Sequence, residues 1–324
     1  MLHEFGPYWL LILIPLLLPF LFLILNPAAF RQRSDQVVTR EPGQRFLGAP
    51  KPVSTEAVND LEFAWLSQSA YEKTPAAKGA SRQTDCPNPE ASLNGAGWMM
   101  WDSFPGPEVQ QKIDNAHLRV EVWENSARRA ITVAFGGTVF NNEKDWKSNL
   151  RWFLPNLPNK PDEYTDTVRV FAPAFEDEFL RRARDPERAF LTSATLYAAG
   201  HSLGGGLAQQ FAYGLRINSQ VPRVTHVFAF DPSPVTGFYS VKRKIRNINK
   251  RTLAIDRIYE RGEILAIVRS LTSFIYPPSA KRPVIRQVRY NLFPTWNPIA
   301  GHSMTELACK LSQAVQKSTA AGAQ

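Results

Sequence analysis

Hydrophobic and polar positions change their period several times along this chain, and each change predicts an element. From Tyr8 to Leu25 there is no charged residue, and the run is dominated by Leu, Ile and Phe. Such a run matches the ~18–20 residues that cross a hydrocarbon core, and Pro15 and Pro19 are tolerable kinks there. The pattern then turns polar. Ser34 to Val53, with Pro42, Gly43, Pro50 and Pro52, reads as a linker. Val58, Leu61, Trp65 and Leu66 return near one face and predict a helix over Glu56–Tyr71. Lys73 to Pro107 is rich in Gly, Pro, Ser and Asn and reads as irregular.

Beyond it the period shortens to two. Leu118, Val120 and Val122 alternate with Arg119, Glu121 and Trp123, Asn125-Ser126 supply a turn, and Ala130–Phe135 returns as a buried strand. Phe175–Arg184 is helical in pattern. Ala194–Ala199, His226–Phe230 and Leu253–Tyr259 are short apolar runs of strand length, Leu207–Tyr213 suits a helix, and Thr305–Lys317 is an amphipathic helix. Strands alternating with helices predict an α/β fold with a mostly parallel sheet flanked by helices. The division that follows is a membrane anchor over 1–30, a linker over 31–55, one folded body over 56–318 and a polar tail over 319–324.

Charge and cysteines narrow this picture. The net charge of +9 suits anionic surfaces, lipid headgroups included. Lys242, Arg243, Lys244, Arg246, Lys250 and Arg251 cluster without an aromatic platform or a nucleic-acid motif, so a nucleic-acid partner is not expected. Cys86 and Cys309 stand far apart; they form no disulfide framework in the sequence, fit no metal spacing and say little about redox compartment. No metal or nucleotide motif appears, so no cofactor or metal is expected. The apolar run reads as an anchor rather than a cleaved leader: Met1–Pro7 holds no Lys or Arg, and Asn26-Pro27-Ala28-Ala29 is a poor cleavage site. Arg31, Arg33 and Arg40 follow it and would place the body on the cytoplasmic side. Oligomeric state is left open.

The chemistry centres on Gly200-His201-Ser202-Leu203-Gly204, a G-x-S-x-G nucleophile elbow between a predicted strand and a predicted helix. Glycines flank the serine because bulkier residues there would collide with the crossing strand and helix. An acyl-transfer serine requires a base, an acid that orients the base, and oxyanion donors. Of the five histidines, His3 borders the apolar run, His117 and His226 open predicted strands and precede the elbow or its acid, and His201 lies in the elbow with its side chain expected to point away from the nucleophile's face. His302, in a loop before the terminal helix, is the candidate base. Two carboxylates at strand ends compete as the acid: Glu263, in Glu260-Arg261-Gly262-Glu263, and Asp231, in Phe230-Asp231-Pro232-Ser233-Pro234. Thr138, after Phe135-Gly136-Gly137, and the backbone N–H of Leu203 are the oxyanion candidates, the latter aided by the helix dipole.

These residues resemble the class 3, fungal-type lipases, whose motifs are F-R-G-T, then Asp-Trp, then G-H-S-L-G-G. Here they read Phe135-Gly136-Gly137-Thr138, Asp145-Trp146 and the elbow, with Gly136 where the family has Arg. The family's R-V-x-N-x-x-D acid stretch aligns without a gap on Arg257–Glu263, with Glu263 in place of Asp, and its histidine lies near the C-terminus as His302 does. Phe230–Gly237 is instead more like the pancreatic-type lipases, where an acid follows that strand, as Asp231 does. The resemblance spans roughly residues 56 to 318. It implies an α/β-hydrolase fold and ester hydrolysis through an acyl-enzyme on Ser202 without a cofactor, with a lipid or other ester as substrate. It also implies a lid after the oxyanion strand, where Leu150, Trp152, Phe153, Leu154 and Leu157 lie among prolines. The alternatives are a small-ester or thioester hydrolase, and a catalytically silent anchored binding module.

Overall fold

The computed structural model describes residues 32–72, 86–114, 118–137, 167–217, 220–234, 236–263, 265–293, 297 and 300–322. The predicted anchor, Thr138 and the predicted lid lie outside these residues. Among the described residues no helix is long and apolar enough to cross a membrane.

The strands are β1 (Gln36–Arg40), β2 (Lys51–Pro52), β3 (Met99–Met100), β4 (Arg119–Asn125), β5 (Ala130–Gly136), β6 (Thr195–His201), β7 (Val224–Phe230), β8 (Ala254–Glu260) and β9 (Val284–Tyr290). They form one sheet in the order β2-β1-β9-β8-β7-β6-β5-β4-β3. The run β5-β6-β7-β8-β9 is parallel, with β4 and β1 antiparallel at its two flanks. Near-continuous apolar stretches such as Ala130–Phe135 suit strands that are covered on both faces.

The helices supply those covers. They are α1 (Ser54–Glu72), α2 (Pro89–Gly95), α3 (Pro107–Asp114), α4 (Ala172–Arg182), α5 (Leu203–Gly214), α6 (Arg243–Asn249), α7 (Ala266–Ile275) and α8 (Met304–Gly322). Leu207 and Phe211 of α5 and Phe175 and Phe179 of α4 pack on one face, against Leu196 and Ala198 of β6. Ala57, Leu61 and Ala64 of α1 and Leu307 and Leu311 of α8 pack on the other, against Ala199, Phe228 and Ile258. Alternation along β6 therefore sends Gly200 toward α5 and His201 toward α1 and α8.

Four expectations change. The stretch read as a linker contributes β1 and β2, and β1 pairs with β9 along its length. Its hydropathy hides it because its buried partners are polar: Arg40 Nη1 donates to Gln287 Oε1 at 2.8 Å. The described part of Lys73–Pro107 is not wholly irregular. Asn88 caps α2 by accepting from Ala91 N at 3.1 Å, and Trp98 and Trp101 are buried beside β3. Cys86 and Cys309 form a disulfide across 223 residues that ties the loop before α2 to α8. Chain-entropy reasoning gives a closure of that length a stabilisation of roughly 5 kcal/mol. Arg246, in the basic cluster, has aromatic neighbours after all: its guanidinium carbon lies 4.0 Å from the Phe238 ring centre and 5.5 Å from that of Tyr239.

Candidate active site

Parallel strands end together, so residues following β6, β7, β8 and β9 gather at one end of the sheet. Ser202 follows β6, Asp231 follows β7, Glu263 lies three residues beyond β8, and His302 lies on the connection from β9 to α8. The turn at Ser202 is tight because β6 reverses directly into α5. Ser202 has φ 57° and ψ −121°, a strained left-handed conformation for a residue with a side chain. A Cβ on Gly200 would lie 2.3 Å from Gly204 O, and one on Gly204 would lie 2.2 Å from Phe135 O, so neither position accepts another residue without a shift. Ser202 N donates to Phe230 O at 2.9 Å, and Ser202 O accepts from Ser233 N at 2.9 Å; these bonds fix the turn.

The structure brings Ser202, His302 and Glu263 into one hydrogen-bonded chain. His302 Nε2 lies 2.9 Å from Ser202 Oγ, and His302 Nδ1 lies 3.2 Å from Glu263 Oε2. Glu263 is itself held: its Oε2 accepts from Leu265 N at 2.7 Å, and its Oε1 accepts from Arg269 Nη1. Arg269 also donates to Pro232 O at 2.8 Å, and its guanidinium lies over the Tyr259 ring. Burial works to raise the Glu263 carboxyl, but Arg269 and the bonds from His302 and Leu265 outweigh it and hold the group below the usual carboxylate range.

Asp231 does not face His302 Nδ1. Its Oδ1 accepts from Glu260 N at 3.1 Å, and its Oδ2 has no hydrogen-bond partner among the described residues. That oxygen lies 3.7 Å from His201 Nε2. Burial first, and the Glu263 charge second, push the Asp231 carboxyl up to about 7. Its backbone, at φ 38°, is left-handed as well. Ring and carboxylate atoms of His201, Asp231 and His302 lie within 4.8 Å of one another. Both ring nitrogens of His302 are engaged, Nε2 with Ser202 and Nδ1 with Glu263.

His201 corrects its expectation. It packs beside His302, with ring centres 4.7 Å apart, because α8 lies on the face toward which His201 points and His302 lies two residues before α8. Burial, followed by the neighbouring His302, drives His201 well below its ordinary range, so it is neutral. Leu203 opens α5, where the first N–H groups have no intrahelical acceptor. Thr138 lies outside the described residues, one position beyond Gly137.

Tyr71, at the end of α1, is a neighbour that sequence reasoning missed. Its hydroxyl is hydrogen-bonded to Ser202, and a Cβ on Gly137 would lie 2.4 Å from it. Burial raises this phenol, so it stays protonated and able to donate. The signal was only a tyrosine near the end of a helix, and nothing local in the sequence ties such a residue to the elbow.

One family model and several solved structures are similar to this chain. The sequence model of a family described as phospholipase-like, with a Tle-like phospholipase domain, matches residues 62–221. No curated protein sequence matches. Among solved structures, the Rhizomucor miehei lipase in a propeptide complex is similar at 15% identity and a TM-score of 0.38, over 65% of this chain and 63% of that one. This chain thus covers less than two thirds of that lipase. The lipase of Rhizopus microsporus var. chinensis is similar at 14% identity and a TM-score of 0.41, over 66% of this chain and 69% of that one. The Lip2 lipase of Yarrowia lipolytica is similar at 15% identity and a TM-score of 0.40, over 71% of this chain and 76% of that one. The family match spans the elbow, and a serine–histidine–glutamate chain stands at the carboxyl end of a largely parallel sheet.

Proposed function

We propose that the chain hydrolyses lipid esters through an acyl-enzyme on Ser202. Ser202 Oγ attacks the ester carbonyl while His302 Nε2 takes its proton. The base then returns that proton to the leaving alcohol, and a water repeats the sequence to release the acid. Glu263 fixes the His302 tautomer through Nδ1 and stabilises the imidazolium. The N–H of Leu203 and the residue Thr138 receive the oxyanion, with the Tyr71 hydroxyl as a further donor at the same place.

The single observation that carries this reading is the 2.9 Å approach of His302 Nε2 to Ser202 Oγ, with Nδ1 already on a carboxylate. A silent binding module has no need of that arrangement. The phospholipase-like family match over residues 62–221 and the apolar run Tyr8–Leu25 favour a lipid over a small soluble ester or a thioester. The run serves as a single-pass N-terminal anchor, and residues 150–158 as an apolar lid over the acyl site. As to the side of the membrane, Arg31, Arg33 and Arg40 favour the cytoplasm. The Cys86–Cys309 disulfide favours an oxidising compartment. A reporter fused after Gln324 decides between them.

A fluorophosphonate probe tests the chemistry. It should label the intact protein at Ser202 and fail to label Ser202→Ala. A folded wild-type protein that never labels would overturn the reading.

A further inference from the structure

The described chain begins at the catalytic end of the sheet, and the first described residue is clamped there. Gln32 is 3% exposed. Its Nε2 donates to Arg289 O at 2.9 Å and Gln36 O at 2.8 Å, and its Oε1 accepts from Arg289 Nε at 2.9 Å. Its carbonyl accepts from Asn291 Nδ2 at 3.0 Å and Arg261 Nη1 at 3.2 Å. Arg261 directly follows β8 and Asn291 directly follows β9. β1 runs antiparallel to β9, with Val37 opposite Tyr290, so the chain enters the sheet where the parallel strands end. That is the end on which Ser202, Glu263 and His302 gather.

From this placement we infer that the N-terminal segment holds the catalytic end of the body against the same bilayer in which that segment sits, so that the enzyme takes its ester from its own membrane. The inference rests on the lipid-hydrolase and anchor readings above.

Lengths support it. Six residues lie between Leu25, the end of the apolar run, and Gln32, and the seven steps from one to the other reach at most about 25 Å. β9 and β6 are three strand steps apart, roughly 15 Å at the usual spacing. The site therefore lies within one short tether of the membrane surface, on the tethered end.

Charge alone argues for the opposite orientation. The basic residues from Lys242 to Arg251 lead into the amino end of β8, and Asn249 binds Tyr213 O and Leu215 O at the far end of α5. On a loose tether that basic end would compete for anionic headgroups and turn Ser202 away from them. The clamp on Gln32 opposes that turn, because it fixes at the catalytic end the point from which the body is tethered.

The test uses the full chain reconstituted in vesicles of phosphatidylcholine and phosphatidylglycerol. It reads fluorescent-ester lipid hydrolysis in the vesicles that carry the enzyme and in enzyme-free vesicles added afterwards. Tethering raises the effective substrate concentration, so hydrolysis in the host vesicles should exceed that in the added ones by at least about tenfold. A Gly/Ser spacer of ~20 residues inserted after Arg31 adds roughly 25 Å of flexible reach. It should reduce the advantage severalfold while leaving cleavage of p-nitrophenyl butyrate unchanged. Equal rates in host and added vesicles, or a spacer variant that keeps the full advantage, would overturn the inference and leave the enzyme intact. Loss of p-nitrophenyl butyrate cleavage in the wild type would instead count against the hydrolase, and release of the protein by alkaline carbonate against the anchor.

Discussion

Two carboxylates lie beyond adjacent strands at the catalytic end, and their surroundings hold them in opposite states. Glu263 is 2% exposed and Asp231 is 0% exposed, so burial pushes both upward. Among the described residues Arg269 forms its ion pair with Glu263, and acts on Asp231 only as a weaker charge. Arg269 and two further hydrogen bonds reverse the effect of burial at Glu263, while Asp231, with one backbone donor and an unpartnered oxygen, rises to about 7. Proximity to the base does not separate the two, since Asp231 also lies close to the histidine pair. What separates them is access to Nδ1 and a partner that keeps the carboxylate ionised.

The comparison is tested most strongly by removing each charge in turn. Glu263→Gln should lower kcat on the order of 10⁴-fold, as loss of a triad acid does, because the amide cannot hold the correct tautomer. Asp231→Asn should cost less than about tenfold, since among the described residues its Oδ1 accepts from Glu260 N and its Oδ2 lies near the neutral His201. Both variants should keep the wild-type circular dichroism. The reverse ranking would move the acid to Asp231.

Arg269 sharpens the same contrast through a different readout. Arg269→Gln removes the neighbour that offsets burial at Glu263. The acid limb of kcat/KM should therefore move up by about 1–3 pH units, the range an adjacent opposite charge commands. An unmoved limb would mean that the hydrogen bonds from His302 and Leu265 suffice to keep Glu263 ionised.

These differences explain what could be read in the sequence. The elbow was legible because its glycines answer a local steric demand, and His302 because few histidines were available. The choice of acid was not, since Arg269 reaches Glu263 only once α7 folds against the end of β8. His201 was misplaced because its direction depends on which face α8 covers. β1 reads as a linker because it buries Arg40 against Gln287, and a hydropathy pattern weighs such pairs as exposed. The Cys86–Cys309 pair spans 223 residues and leaves no local trace. Tyr71 meets Ser202 only through the packing of α1 on β5 and β6. The fold class follows from periodicity; the identity of the partners follows from tertiary contacts that periodicity does not encode.

The smallest expected effect is also the one that separates the two carboxylates by sign. Asp231 titrates at about 7 in the folded protein against an ordinary 3.8, so between those values the native state holds more protons than the unfolded chain. Stability from this group then falls as pH rises through the window. Asp231→Asn, which cannot ionise, should gain stability relative to wild type from pH ~4 to ~8. Glu263 is lowered in the fold, so its contribution is present above the unfolded carboxylate range and is lost as pH falls through the folded value. Glu263→Gln should therefore lose ground to wild type as pH rises through the acid range, the opposite slope. Urea unfolding of the three proteins across this range measures both slopes. Parallel curves for the two variants would mean that the carboxylates are equivalent in the fold, and the argument that Arg269 sets them apart would fail with them.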